Sequence, residues 1–170
     1  MRTVQQEVLK DLFDYDQATG MLTRKFSKRR FKKADNEITA KLKYRFVYVE
    51  GVSLLMHRAV WCWHHGNWPK AIDHIDGDSL NNRIENLREC TQQQNLQNRT
   101  KNKNSKRKFK GVIYRPAGVR GNRKDAYEVQ VNGKYGGYFS TEVEAAQAYD
   151  KLATELYGEF ARLNFPKEKV

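Results

Sequence analysis

An acid–histidine pair, Asp73-His74, opens the stretch of this chain that is best suited to chemistry. A histidine can take a proton from water near neutral pH, as a general base must. A carboxylate and an amide oxygen can hold a hard divalent cation and leave positions for water and phosphate. Because phosphodiester hydrolysis needs both a deprotonated water and such a cation, these residue types fit that reaction.

A polar loop follows the pair. Asp76-Gly77 and Asn81-Asn82 are typical of a turn, and apolar residues return on both sides of Asn86. Taken alone, Asp73-His74 is also compatible with a plain turn that carries a half-buried structural histidine. A calcium-binding loop is excluded, because the sixth position counted from Asp76 is Asn81, where a glycine is required.

A helix is predicted after this loop and a short strand. Thr91 and Gln94 have the spacing of a capping box, in which the threonine caps the helix and the glutamine reaches back. Asn95 would lie about one turn inside this helix. Helical side chains lean toward the N-terminus, so Asn95 would point back at the hairpin that carries Asp73 and His74. The sequence thus predicts a small polar site between a hairpin and a helix.

The same residues resemble the HNH nucleases, in the form found in phage-type homing endonucleases. The resemblance is carried by D-H-I-D-G-D-x-L-N-N-R-x-x-N-L and by Asn95. It implies a ββα-metal fold that cuts DNA with one divalent cation between hairpin and helix. It also implies that Asp73 and Asn95 ligate the metal, that His74 is the general base, and that Asn86 braces the loop and the histidine. Asn95 stands where many relatives have histidine, which favours Mg²⁺ or Mn²⁺ over zinc.

The composition points to a polyanionic partner. The 170-residue chain has a net charge of +12 and an isoelectric point near 9.7. It has no apolar run of membrane-spanning length and no secretion signal, so we expect no membrane and a cytoplasmic location, in the host cell if the gene is phage-borne. Cys62 and Cys90 lack metal-site spacing and are predicted to be free buried thiols in a reducing compartment.

Two basic runs without acidic residues are predicted to contact DNA phosphates. Residues 24–33 contain seven basic side chains with two phenylalanines between them, and residues 99–110 contain seven more. The second run is too polar for a core and is predicted to link two domains along DNA. The alternative for the first run is a solvated loop. The expected contacts are Arg24, Lys25, Lys28, Arg29, Arg30, Lys101, Lys103, Lys106, Arg107 and Lys108.

Other elements of the N-terminal half surround the predicted site. They are a helix over residues 4–13, a turn over 14–20, strands over 21–24 and 43–50, and a helix over 56–66. The pattern Y-D-x-x-T-G-x-L-T from Tyr15 also resembles the segment that leads into phage HNH proteins. We assign His57, His64 and His65, on the last helix, to packing rather than to catalysis.

The C-terminal half has its own pattern of three strands and a helix. Strands are predicted at 111–115, 126–131 and 134–139, and Asn132-Gly133 is a strong two-residue hairpin turn. Thr141 and Glu144 form a capping box that begins an amphipathic helix, and Gly158 ends it. Ala146 and Ala153 are small enough to let this helix approach the sheet closely.

This half resembles the plant ethylene-response-factor (Apetala-two) DNA-binding domain. The resemblance is carried by Gly111-Val112, by Gly137 and Phe139, by T-x-x-E-A-A-x-A-Y-D from Thr141, and by G-x-x-A-x-L-N-F-P from Gly158. It implies a three-stranded sheet in the major groove with the helix behind it. The contacts carried over are Lys110, Arg115, Glu128, Gln130 and Tyr135.

This chain departs from the plant pattern at some of the positions that would face DNA. Ile113 and Gln130 replace arginine or another basic residue, and Tyr127 and Tyr135 replace tryptophans. The base preference of the plant domains is therefore not carried over. Glutamine suits adenine and arginine suits guanine by geometry, but one sequence does not assign each side chain to a base.

We therefore predict an α+β protein with a ββα-metal (HNH) nuclease domain, followed by a three-stranded antiparallel sheet packed on one helix. The expected boundaries are 1–100 for the nuclease with its lead-in segment, 101–109 for a basic linker, and 110–166 for the DNA-binding domain. The predicted function is a homing-type endonuclease that nicks duplex DNA as a monomer, with no protein partner evident. The alternatives are a DNA-binding regulator with an inactive nuclease site and an RNA-binding protein.

Overall fold

The computed structural model describes residues 4–25, 44–99, 107–118 and 124–166. They belong to two compact units, Met1–Asn95 and Leu96–Val170, each of which combines helices with small antiparallel sheets. The predicted mixed α and β class is confirmed. Within the described ranges, no helix is both long and apolar enough to cross a membrane.

The first unit consists of short helices and three two-stranded antiparallel sheets. Its elements are α1 (Gln6–Leu12), β1 (Phe13–Asp16), β2 (Met21–Arg24), β3 (Phe46–Val49), β4 (Val52–Leu55), α2 (Met56–His65), β5 (Ala71–His74), a 3-10 helix (Ile84–Asn86), β6 (Leu87–Cys90) and α3 (Gln92–Gln97). The pairs are β1–β2, β3–β4 and β5–β6. α3 begins in the first unit and crosses the boundary to the second.

Two of these strands differ from the sequence-based expectation. Residues 14–16 were expected in a turn, but β1 pairs with β2, and the Asp16 carboxylate accepts N–H of Ala18 and the Thr19 hydroxyl. The turn is therefore confined to the residues after Asp16. β4 was not predicted, because the turn before it places Glu50 at a positive φ of 47° beside Gly51. A non-glycine residue in that conformation leaves no clear mark in the sequence.

The core of the first unit lies between α1, α2 and the strands. Leu9, Phe13, Leu22, Val47 and Val60 are fully buried within it. Burial of such side chains stabilises a fold by roughly 1.5–3 kcal/mol each. The two thiols are free and buried, as predicted, at Cys62 on α2 and Cys90 on β6.

The second unit contains one sheet and one long helix. Its elements are β7 (Val112–Arg115), β8 (Ala126–Val131), β9 (Lys134–Phe139), α4 (Glu142–Tyr157) and a 3-10 helix (Gly158–Phe160). The sheet is antiparallel in the order β7-β8-β9. The turn at Asn132 and Gly133 has positive φ at both residues, and Thr141 and Glu144 form both hydrogen bonds of the capping box. These two local predictions are confirmed.

Small residues bring α4 close to the sheet. Ala145, Ala146 and Ala153 are fully buried in the cluster that holds the valines of β7 and β8. A Cβ atom at Gly111 would lie 2.0 Å from the ring of Tyr149. No side chain fits at this position unless α4 moves away from the sheet, so close packing against α4 requires the glycine before β7.

Candidate active site and candidate DNA-binding face

The β5–β6 hairpin brings the acid–histidine pair into a buried position. Asp73 lies opposite Arg88, and His74 lies opposite Leu87, in the antiparallel register. The exposed fractions are 4% for Asp73 and 8% for His74. Such a buried polar pair needs hydrogen-bond partners, because burial of an unpaired charge or donor costs on the order of several kcal/mol.

Asp73 is paired with a residue that the sequence analysis did not single out. The guanidinium of Arg88 donates from Nε at 3.0 Å and from Nη2 at 2.7 Å to Oδ2 of Asp73. Both side chains are largely buried in this ion pair. Any cation held by Asp73 would therefore share the carboxylate with Arg88. The clue in the sequence was the basic residue that follows the apolar Leu87, but only the strand register identifies its partner.

The imidazole of His74 is held by a second asparagine. Nε2 of His74 lies 3.2 Å from Oδ1 of Asn82, whose Nδ2 donates to the Leu80 carbonyl. The contact with Asn82 suits the tautomer that carries its proton on Nε2, because an amide oxygen is only an acceptor. A neutral His74 then has its lone pair on Nδ1, which is the state that a general base requires. Asn82, at 1% exposed, was predicted only as part of a turn.

Asn86 organises the loop between the two strands. Its Nδ2 donates to Oδ1 of Asp76 and to the carbonyl of Asn81, both at 2.9 Å, and its Oδ1 accepts N–H of Asp76 at 3.1 Å. Burial opposes ionisation of Asp76, but donors from Asn81, Asp78 and Asn86 outweigh it and lower the pKa of this carboxyl. The structure thus joins Asn86 to the loop, whereas the contact with the His74 ring comes from Asn82.

The β1–β2 hairpin supports the other side of this loop. Nε of Arg83 donates to the Ala18 carbonyl at 2.7 Å, and N–H of Ile84 donates to the hydroxyl of Tyr15 at 3.0 Å. A Cβ atom at Gly20 would lie 2.3 Å from the backbone nitrogen of Arg83. The segment that resembles the lead-in of phage HNH proteins is therefore packed directly against the site loop.

A neutral histidine lies beside His74. His57, on α2, is largely buried, and its ring centroid lies 5.2 Å from that of His74 at an angle of 74°. Burial, with the nearby His74 and Arg58 charges, lowers the pKa of His57 to about 3. His57 therefore stays uncharged at neutral pH. Of the other two histidines on this helix, His64 packs against Tyr15 and His65 against Trp61.

The second predicted metal ligand, Asn95, lies on α3. The capping box that begins this helix is confirmed, since Gln94 accepts N–H of Thr91 and the Thr91 hydroxyl accepts N–H of Gln94. Asn95 is exposed and donates its backbone N–H to the Thr91 carbonyl. Among the described residues, no three or more His, Cys, Asp or Glu side chains are grouped for a metal. The available donors, one carboxylate and one amide, are those of a hard cation.

The described residues of the basic runs differ in their surroundings. Arg24 donates to the Tyr48 carbonyl and lies over the ring of Phe13, and Lys25 donates to the Lys10 carbonyl. Both thus have contacts within the first unit. Arg107 and Lys108 are exposed in the second unit. The predicted contacts Lys28, Arg29, Arg30, Lys101, Lys103 and Lys106 lie outside the described residues.

Lys110 is engaged in the second unit. Its Nζ donates to the carbonyls of Gln97 and Arg99 at 2.9 and 2.8 Å. Burial lowers its pKa to about 8, with the nearby Arg162 adding to the effect. Lys110 therefore binds the segment that precedes the sheet. Its contact with DNA stays a prediction.

The other residues carried over for DNA contact come together on the sheet. Nε of Arg115 donates to Oε2 of Glu128 at 2.6 Å, and Nε2 of Gln130 donates to Oε1 of the same carboxylate. Tyr135 lies opposite Gln130 in the register and is 56% exposed. Four of the five predicted residues thus share one face of β7, β8 and β9.

The sequence comparisons agree with the position of the buried pair and its loop. Residues 54–97, from β4 to the end of α3, match a family described as HNH endonuclease. An uncharacterized HNH endonuclease of Acanthamoeba polyphaga mimivirus is 38% identical over 95 residues, which is 55% of this chain and 46% of the viral protein.

A second similarity is to a plant protein named for DNA binding. Dehydration-responsive element-binding protein 2E of Arabidopsis thaliana is 56% identical over 32 residues, which is 19% of this chain and 13% of that protein. The chain thus spans less than half the length of either curated relative. No solved structure matches the chain significantly.

Proposed function

We propose that this chain is a metal-dependent DNA endonuclease that hydrolyses phosphodiester bonds through a ββα-metal site of the H-N-N type. The observation that carries the proposal is the buried Asp73-His74 pair inside the segment that matches the HNH endonuclease family. The β5–β6 hairpin, the Asn86-braced loop and the capped α3 supply the order of elements that such a site needs.

In this proposal each residue has one task. His74, with Asn82 on Nε2, accepts the proton of the attacking water. Asp73 and Asn95 hold one Mg²⁺ or Mn²⁺ ion, and Asn86 keeps the loop in place. The cation, when bound, neutralises charge on the phosphate and the leaving oxygen. Arg88 donates twice to Oδ2 of Asp73 and so fixes the orientation of the carboxylate that would hold the cation.

The C-terminal sheet selects the target in this proposal. The short match with a plant DNA-binding protein and the exposed tyrosines of the sheet support this role. Duplex DNA is then the substrate, and one site per chain would nick one strand as a monomer. The cytoplasm is the compartment that fits two free thiols.

A second candidate is a DNA-binding regulator with an inactive nuclease site. The Arg88–Asp73 ion pair favours it, because a buried carboxylate held by an arginine on the neighbouring strand is also what a purely structural strand pair would show. The retained His74–Asn82 and Asn86–Asp76 contacts favour the active enzyme instead.

The test between them is nicking of supercoiled plasmid DNA with and without magnesium. The parent should nick only with the metal, and His74→Ala should lower the rate by roughly 10²–10⁴ while duplex binding is kept, because only the general base is lost. The matched control is His65→Ala, at an exposed position of α2, which should cut like the parent. Equal rates for His74→Ala and the parent would contradict the assignment.

The role of the metal needs a separate measurement. Asp73→Ala or Asn95→Ala should weaken Mg²⁺- or Mn²⁺-supported cleavage, and a chelator should stop the parent while its circular dichroism is unchanged. An exposed carboxylate, Asp11, provides the control through Asp11→Ala, which should keep the parent's metal requirement. If the chelator unfolds the parent, the metal is structural and the proposed site is wrong.

A further inference from the structure

One face of the three-stranded sheet is free of α4. Val112, Val129 and Val131 pack with α4, so the alternate residues of β7 and β8 lie on the other side. The register then adds two tyrosines of β9, because Tyr138 pairs with Glu128 and Tyr135 with Gln130. We call this side the open face. Its members include Arg115, Glu128, Gln130, Tyr135 and Tyr138.

The open face contains a buried carboxylate. Glu128 is only 3% exposed although Tyr135 and Tyr138, on the neighbouring strand, are about half exposed at 56% and 43%. Both of its oxygens have partners on the same face. Oε2 accepts from Nε of Arg115 at 2.6 Å, and Oε1 accepts from Nε2 of Gln130 at 2.5 Å.

This pairing fixes two side chains that are well suited to reading bases. Arginine and glutamine are long and lose much rotamer freedom when they bind, so a partner that holds them in advance lowers that cost. The contact with Glu128 uses Nε of Arg115 and not the two terminal Nη groups. It uses Nε2 of Gln130 and not the amide oxygen. The two Nη groups of Arg115, together with the amide oxygen and the second N–H of Gln130 Nε2, lie outside this contact. These are the groups that meet guanine and adenine edges.

The charge of Glu128 argues against a direct contact with DNA. A carboxylate on a DNA-facing surface repels phosphates, whereas here the guanidinium of Arg115 neutralises it within the sheet. Breaking such a pair from one side leaves an uncompensated buried charge on the other. Glu128 is therefore tied to the geometry of its two neighbours.

We propose that Glu128 is a positioning residue that sets sequence discrimination by holding Arg115 and Gln130 in one arrangement toward the base edges. The inference rests on the proposed function, because it takes the open face as the surface that meets duplex DNA. The sequence analysis predicted Glu128 as a DNA contact. In this inference Glu128 acts through Arg115 and Gln130 and does not itself touch the DNA.

The test compares selected and scrambled duplexes. A duplex enriched from a random library by the full-length parent, and a scrambled duplex of equal composition, are the two probes. Glu128→Gln should lower the ratio of the two affinities about tenfold, the size of one lost bidentate contact, without lowering the affinity for scrambled DNA. Glu155→Gln removes an equal charge at an exposed position of α4 and should keep the ratio.

A purely structural role would give another result, in which both affinities fall together with the melting temperature. A ratio that Glu128→Gln leaves unchanged, with a parent that prefers its selected duplex, would contradict this inference alone. A parent with no preferred duplex would contradict the proposed role of the sheet as well.

A second measurement covers the case in which Glu128→Gln does not fold. In the parent, hydrogen exchange of the Arg115 Nε–H, followed by NMR, should be slow in the free protein and equally slow in the complex with the selected duplex. Loss of that protection on binding would show that Arg115 leaves Glu128 to reach the DNA, which would overturn the proposal.

Discussion

At the scale of single residues, the candidate site depends on amide side chains as much as on charged ones. Asn82 contacts the His74 ring, and Asn86 joins Asp76 to the loop. An amide offers a donor and an acceptor at once and carries no net charge to desolvate, which suits buried positions beside a proposed metal ligand. His57 adds a neutral ring against His74. The surroundings of the proposed base therefore combine neutral amides and the His57 ring with charged groups, which are the Asp76 carboxylate and the Arg88–Asp73 pair.

The buried His57 predicts an acid-sensitive stability. Its pKa is about 3 in the folded protein and about 6.5 when exposed, so only the unfolded chain gains a proton between these values. The free energy of unfolding should be fully kept above pH 6.5 and should fall as the pH drops below it, by up to about 1.4 kcal/mol per pH unit from this residue.

Urea unfolding of the parent and His57→Gln between pH 5 and pH 7 measures this effect. His57→Gln should flatten the pH dependence of the free energy of unfolding. His65→Gln, at an exposed position, should leave this dependence as steep as in the parent. Parallel curves for the parent and His57→Gln would show that the ring does not resist protonation in the fold.

At the scale of elements, a hairpin distant in sequence supports the site loop. β1 and β2 lie more than fifty residues before the loop, yet Tyr15 and Ala18 accept hydrogen bonds from residues 84 and 83. Gly20 is the point of closest approach, with a positive φ of 71°. The lead-in segment is thus a structural support of the site and shares the core of the first unit through Phe13 and Leu22.

This close approach predicts a large effect of one added methyl group. Gly20→Ala should force the hairpin away from the backbone of Asn82 and Arg83 and should lower both stability and nicking activity. Gly51→Ala is the matched control, because Gly51 has a similar φ of 83° with no atom within 4 Å of an added Cβ. Both substitutions place alanine in a left-handed backbone conformation, so the difference in stability between the two variants reports the clash of the added Cβ with Asn82 and Arg83.

We expect Gly20→Ala to be less stable than Gly51→Ala by roughly 1–3 kcal/mol, the usual size of overpacking. Thermal unfolding of the two variants gives the comparison, and plasmid nicking gives the effect on the site. Equal melting temperatures would mean that the hairpin and the loop separate without cost.

At the scale of the whole molecule, the two compact units correspond to the proposed division between DNA cleavage and selection of the DNA target. The first unit carries the buried pair and its loop, and the second carries the open face of the sheet. Each has its own cluster of buried apolar residues. A chain with two such cores should be separable into parts that fold independently.

Cutting the chain near Asn104 tests this division and leaves α3 whole. Fragment 105–170 should fold and bind the same duplex as the full chain, with a smaller salt dependence because the expected phosphate contacts of residues 24–33 and of Lys101 and Lys103 are lost. Fragment 1–104 should still nick plasmid with magnesium, slowly and with little site preference, since phosphate contacts position without specifying.

Footprinting of fragment 105–170 and plasmid cleavage by fragment 1–104 are the measurements, with the full chain as control. Full site selectivity in fragment 1–104 would show that the first unit selects the target and would remove that role from the sheet.

The sequence by itself determined the features that depend on residues close together in the chain. The capping boxes at Thr91 and Thr141, the Asn132-Gly133 turn and the end of α2 at Gly66 were all predicted and are all present. Each is a hydrogen bond or a backbone conformation decided within about four residues, so local chemistry is sufficient. The resemblance to HNH nucleases added the prediction that Asp73 and His74 belong to a nuclease site. The domain boundaries and the roles of the site residues stay predictions.

The tertiary structure alone decided which groups surround that pair. Arg88 faces Asp73 only because the β5–β6 register aligns two residues fifteen positions apart, and a slip of one residue would place it on the opposite side. Tyr15 reaches Ile84 across sixty-nine positions. The pairing of Glu128 with Arg115 likewise depends on strand alternation. Such contacts follow from how the cores pack and not from local pattern, since many registers share one hydrophobic pattern until packing selects among them.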